Sequence, residues 1–276
     1  MSNSSPPELL YHYTDHAGVK GIVESGTLWA THIRRLSDES EVTYSRELLA
    51  AIADRVRQGS DGDWAAGVVC DAVKALVSSS TSPDTFVASL CEEWDNLSQW
   101  RGYGGFAIGF YRERLRSIAR AQDYSLISLV YEKGEQEALL EKALWDAIPI
   151  MTGWAADRTT APSAVEQLLL LGWGFTQATL FVKNPYFRDE REWRLARVIL
   201  PGVSEARAKT RTKDGGEVPH EEVALTDVGG REAAIAEIVL GPMTRSDAEV
   251  AAVRTLLDAN NLARVPIRKS VGPLRR

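Results

Sequence analysis

Four stretches of the chain carry polar, hydrogen-bonding or aromatic side chains beside an apolar run, where neither a core nor a surface requires them. In LYHYT, alternation along an extended segment sends His12 and Thr14 to one side and Tyr11 and Tyr13 to the other. A histidine so placed serves either as a hydrogen-bonding group in a cleft or as a satisfied core residue. The second stretch gathers Asp95, Ser98, Trp100, Arg101 and Tyr103 within nine residues. On a helix Trp100 and Tyr103 share a face, and two rings with a hydroxyl nearby make a stacking platform for a planar ring such as nicotinamide or a base. Offset stacking adds about 1 kcal/mol beyond burial. With Trp100 in the core and Asp95 a helix cap, the same residues are structural. In the third stretch, EREWRLARVIL, Glu192 and Arg194 share one face and Trp193 and Leu195 the other, with Glu190 competing for the face of Glu192. A glutamate inside a strand is costly unless paired or in a wet cleft. Its partner is then Arg194 or Arg101, or the carboxylate is aimed at a ligand such as a ribose. The fourth, SDESE, holds Asp38, Glu39 and Glu41 and is either a solvated turn or the rim of a cleft.

The elements that must position these residues follow from periodicity. Asp15 caps a short helix with the stripe Val19, Ile22 and Val23, Gly26 stops it, and strands flank it, the second carrying Leu28, Trp29, Ala30 and Ile33 as a buried run. Apolar residues at helical spacing over 42–58 and 63–79 predict two packing helices, ended by SSSTSPD. FVASLCEE is a strand, Asp95 caps a short helix after it, and Gly104 and Gly105 turn the chain into the strand Phe106 to Phe110. A strand over 123–131, helices over 134–152 and 162–171, an apolar stretch from Ala178 to Val182, and strands over 192–200, 235–240 and 265–267 follow, with a helix over 246–260. Strands and helices mix without a strict alternation, which predicts a single α+β domain over 1–276 with a mostly antiparallel sheet and helical insertions at about 42–80 and 132–172. GYGG at 102–105 precedes a strand instead of linking strand to helix, so it fails as a dinucleotide fingerprint.

With 44% hydrophobic and 25% charged residues the chain has the composition of a globular protein. Cys70 and Cys91 are too few for a disulfide framework or a zinc cluster, and both sit in apolar runs, so no metal site is expected. The start MSNSSPPELL lacks the order of a signal peptide and no run is long and apolar enough to cross a bilayer, which points to the cytoplasm and away from membranes. A net charge of −6 argues against a broadly basic nucleic-acid binder, although Arg264, Arg268, Lys269, Arg275 and Arg276 form a basic tail that is solvated or touches nucleic acid.

Through YHYT, SQWRGYG with GFAIGF, EREWR and EIVLGP the sequence resembles an uncharacterised bacterial domain-of-unknown-function family. More distantly, LYHYT with its helix and ESGTLWA, then FVASLCEEWDNLSQWRGY, then Glu192, resemble the successive blocks of ADP-ribosyltransferase domains. That resemblance implies a split antiparallel sheet and NAD as substrate, with His12, Tyr103 and Glu192 as catalytic residues: His12 on a ribose hydroxyl, Tyr103 stacked on nicotinamide, Glu192 on the nicotinamide ribose. Tyr11, Thr14, Ser98, Trp100 and Arg101 would line the NAD site, either Trp100 or Tyr103 being the stacking ring. It further implies transfer of ADP-ribose to a protein or nucleic-acid acceptor, in a toxin or phage-defence setting with an antitoxin or regulatory partner. The alternatives are a nucleic-acid-binding or nucleic-acid-processing component, for which Arg101 and Arg194 speak, and a non-catalytic sensor or interaction module.

Overall fold

A computed structural model describes residues 7–36, 40–79, 83–200, 204, 207–213, 216–226 and 234–272, without the side chains of 40–42 and 213. Strand β1 (Leu9–Thr14) leads into helix α1 (His16–Ser25), where Asp15 accepts from the backbone N–H of Gly18 at 2.7 Å and Val19, Ile22 and Val23 form the buried stripe. Gly26, at φ 66°, takes the left-handed turn that starts β2 (Thr27–His32). Two expectations fail here. Alternation turns Trp29 outward, and Ile33 opens a 3-10 turn (Ile33–Arg35) instead of prolonging the strand. Asp38 and Glu39 lie outside the described residues, whereas Glu41 belongs to helix α2 (Ser40–Gly59) and not to a loop.

Asp63 caps α3 (Trp64–Ser78), and β3 (Thr85–Cys91), α4 (Leu97–Tyr103) and β4 (Phe106–Tyr111) follow. Between the last two, Gly104 has φ 121°, and a Cβ there would stand 2.9 Å from the carbonyl oxygen of Thr14, so the turn needs glycine twice over. Next come α5 (Arg112–Ala121), β5 (Ser125–Ser128), α6 (Lys133–Ala156) and α7 (Ala164–Thr179), the last opened by a reciprocal Ser163 and Glu166 capping box. A 3-10 turn (Pro185–Glu190) delivers the chain to β6 (Glu192–Val198). The hairpin β7 (Lys209–Lys213) and β8 (Gly216–Ala224), then β9 (Ile235–Leu240), α8 (Asp247–Ala259) and β10 (Ile267–Lys269), complete the described chain.

The architecture is α+β, with a mixed, mostly antiparallel sheet in the order β10-β9-β4-β1-β3-β2-β8-β7. β9 and β10 run parallel, and β6 lies off this path, between β3 and β5. β3 is the branch point. Along one edge it pairs with β6 over its whole length, from Thr85 opposite Val198 to Cys91 opposite Glu192. Its other edge is divided: β1 meets it at Cys91, and β2 meets it at Phe86 and Val87. Ala88, Ser89 and Leu90 therefore have no strand partner on that edge among the described pairs.

One face of the sheet carries Leu10, Phe86, Ala88, Leu90, Ile108 and Trp193 against the apolar stripes of α1, α5 and α8. The opposite face carries Tyr11, Tyr13 and Cys91 against Trp100, and Val87, Ile127, Ala196 and Val198 against Leu180 beyond α7. Helices α2, α3, α6 and α7 add a core of their own around Leu49, Ile52, Val69, Leu144 and Phe175. Both cysteines are buried and free, as small hydrophobes. Among the described residues no helix is long and apolar enough to cross a membrane.

Candidate functional site

His12 stands where the sheet divides. β1 sets it opposite Ile108, on the face of the larger core, and its ring reaches across the gap so that Nδ1 lies 2.9 Å from the carbonyl oxygen of Ser89. A carbonyl only accepts, so Nδ1 carries the proton and Nε2 is left as an acceptor. Burial pushes the imidazole below its ordinary 6.5, outweighing the bond to Ser89, which acts the other way. At neutral pH His12 is therefore an uncharged ring of fixed tautomer, partly open to solvent, and no described residue takes its Nε2.

Glu192 lies on the other side of β3. Its strand register places it beside Cys91 and Tyr11, on the face opposite His12. Oε1 accepts from the Ser89 hydroxyl at 2.7 Å and from Arg194 Nε at 2.8 Å; Oε2 accepts from Lys183 Nζ and, at 3.3 Å, from Arg194 Nη2. Lys183 also bonds Glu190 at 2.5 Å, and the backbone N–H of Glu192 donates to the Tyr131 hydroxyl at 3.0 Å. Burial alone would raise the Glu192 carboxyl, but Arg194 and Lys183 outweigh it and hold the group down at about 2. With four donors on two oxygens, this carboxylate has its hydrogen-bonding capacity filled by the protein. Of the two partners expected for it, Arg194 is present and Arg101 is not; Lys183, from the loop after α7, was not foreseen.

The aromatic platform does not assemble. Trp100 is only 7% exposed and packs edge-on against Tyr13 with ring centroids 4.5 Å apart, whereas Tyr103 is 45% exposed at the end of α4. Tyr11 is buried, its hydroxyl donating to Glu237 at 2.8 Å. Thr14 packs under α1, where a Cβ on Gly18 would fall 1.9 Å from its hydroxyl oxygen. Ser98 and Arg101 are exposed on α4, Ser98 bonding to Asn96 at 2.6 Å.

Asp95 is not the cap of α4. Asn96 takes that role, accepting from the backbone N–H groups of Ser98 and Gln99. Asp95 instead accepts from Trp100 Nε1 at 2.7 Å, the Ser270 hydroxyl at 2.5 Å, and the backbone N–H groups of Val271 and Gly272 at 2.9 and 3.1 Å. Burial raises this carboxyl, yet the four donors pull it below its ordinary value. Asp95→Ala is expected to cost about 2 kcal/mol, the scale of hydrogen bonds to a charged group. Urea unfolding should show that loss, and limited proteolysis should show new cleavage near Ser270.

Two of the expected catalytic residues thus meet at Ser89, His12 on its carbonyl and Glu192 on its hydroxyl. Tyr103, Ser98 and Arg101 stay outside this arrangement on the surface of α4. Ser89 and Lys183 escaped the sequence reading because the first is a lone polar residue in an apolar run and the second opens the polar loop KNPYFRDE, neither with a spacing signal. Searches of curated proteins and of solved structures find no match to the chain. Residues 99–195, about a third of the chain, match the model of a family described as a protein of unknown function (DUF2971); the matched stretch contains Trp100, Tyr103, Lys183, Glu192 and Arg194 and leaves out His12 and Ser89.

Proposed function

We propose that the chain is an ADP-ribosyltransferase-like enzyme that splits NAD and passes ADP-ribose to a protein or nucleic-acid acceptor in the cytoplasm. The observation that carries this reading is His12: a neutral imidazole, its Nδ1 proton given to Ser89, its Nε2 left to accept from a hydroxyl such as that of a ribose. The division of the sheet at Ser89 and the resemblance of the LYHYT and SQWRGY blocks support it. In such a reaction the bond between ribose C1 and nicotinamide breaks with its electrons leaving on nicotinamide, and the acceptor's nucleophile takes C1. A group fixing the ribose hydroxyls aligns the ring for that departure. Glu192 takes a different part from the one its family resemblance implies: it fixes Ser89 and the cations Arg194 and Lys183 and does not touch the ribose. A toxin or phage-defence setting, with an antitoxin partner, is the corresponding biological proposal.

The saturation of Glu192 favours a second reading, a non-catalytic sensor or interaction module. Incubating the purified chain with NAD and cell lysate separates the two. Nicotinamide release above that of lysate alone supports the enzyme, and no release together with no calorimetric binding of NAD supports the module.

A further inference from the structure

Between the helical insertion and the sheet face that carries Glu192 lies a cavity of about 30 Å³, lined by Ile33, Ser45, Arg46, Thr85, Thr176 and Arg194 among others. No carboxylate is among its lining residues, and two guanidinium groups are. Lys183 and Arg194 are balanced by Glu190 and Glu192, which makes Arg46 the surplus cation of this lining among the described residues. Among the described residues no carboxylate bonds to Arg46, which is half-buried on α2. Desolvation and the positive charge of Arg34 both push its guanidinium below its ordinary value, and no described carboxylate acts the other way. A partly buried charge without a counter-ion is costly, and the cost disappears when an anion enters.

The donor set defines the anion. Thr176 and Thr179 give their hydroxyl protons to helix carbonyls at 2.8 Å, which leaves the guanidinium groups as the principal donors. Arg194 is tied through Nε and Nη2 to Glu192, so its plane is fixed before any ligand arrives. Planar guanidinium forks suit the oxygens of a phosphoryl group, and a cavity of this size admits such a group but no dinucleotide. We propose that this cavity binds the phosphoryl group of a small phosphorylated ligand, on the sheet face opposite His12 and independently of any NAD chemistry.

Calorimetry and thermal unfolding at matched ionic strength, with inorganic phosphate, adenosine monophosphate and chloride on the full chain, test this. Phosphate and the monophosphate should bind and raise Tm where chloride does not. Arg46→Met should weaken that binding at least about tenfold, the worth of one charge-assisted hydrogen bond, while leaving the unliganded Tm no lower than that of the wild type. Arg46→Lys, which keeps the charge without the fork, should fall between the two. Tighter binding of the monophosphate than of inorganic phosphate identifies an organic phosphate as the ligand, and equal affinity identifies the free ion. Equal phosphate affinity in wild type and both variants, or no phosphate effect beyond that of chloride, overturns the proposal.

Discussion

Replacing Glu192 by alanine is expected to destabilise the fold by about 3–5 kcal/mol, because it takes one carboxylate out of a cluster of two carboxylates and two cations and leaves an excess positive charge in the interior. Lys183 and Arg194 are buried and both donate to this carboxylate, Lys183 keeping Glu190 besides; Ser89 would lose its acceptor as well. The effect depends on pH with a definite sign. The carboxyl is held at about 2 in the folded chain against an ordinary 4.5, so its contribution is complete above pH 4.5 and is lost as the pH falls toward 2. Urea unfolding of wild type and Glu192→Ala should differ by the full amount at pH 7 and by less at pH 3. Stabilities within about 1 kcal/mol at pH 7 would mean that the cluster relaxes or hydrates freely. Inactivity of a Glu192 variant is consequently no sign of catalysis until its folding has been measured.

His12→Ala is expected to do the reverse, with a smaller effect on stability than Glu192→Ala and a large effect on turnover. It removes one bond to a backbone carbonyl, which costs about 1–3 kcal/mol if that carbonyl is left dry and less if water reaches it. Nicotinamide release should fall at least about a hundredfold, the scale on which losing one orienting hydrogen bond acts in a preorganised site. The pH profile adds a check that a structural role would not move. Activity requires the neutral ring, and burial lowers its titration below 6.5, so the rate should stay level as pH falls through 6.5 and drop only at lower pH. A rate that already declines above pH 6.5 would assign the titration to another group.

What the sequence disclosed is what short-range physics controls. The Asp15 cap, the Val19, Ile22 and Val23 stripe and the Gly26 stop are local devices, and the first helix forms as they require. β9 spans Ile235–Leu240 as its apolar run indicates. The hairpin of β7 and β8 was not foreseen: KTRTK has no apolar alternation, and the hairpin joins the sheet through the pairing of β8 with β2, distant in sequence. The same limit governs the site. Alternation placed Glu192 and Arg194 on one face, as they are, but it could not say that His12 would face the other way across β3, since relative facing depends on the register of β1, β3 and β6. Nor could it show that a lone lysine after α7 completes the ion cluster, or that Asp95 reaches the segment at Ser270 instead of capping its own helix. Contacts between residues 175 positions apart leave no trace in a local pattern.

The most direct test of the central claim is free nicotinamide released from NAD by wild type and by His12→Ala, in the presence of cell lysate and with both proteins confirmed to be folded by thermal unfolding. The account predicts release by the wild type and its near disappearance in the variant. Equal release by both would remove His12 from the chemistry, and no release by the wild type, with no binding of NAD, would contradict the enzymatic reading itself.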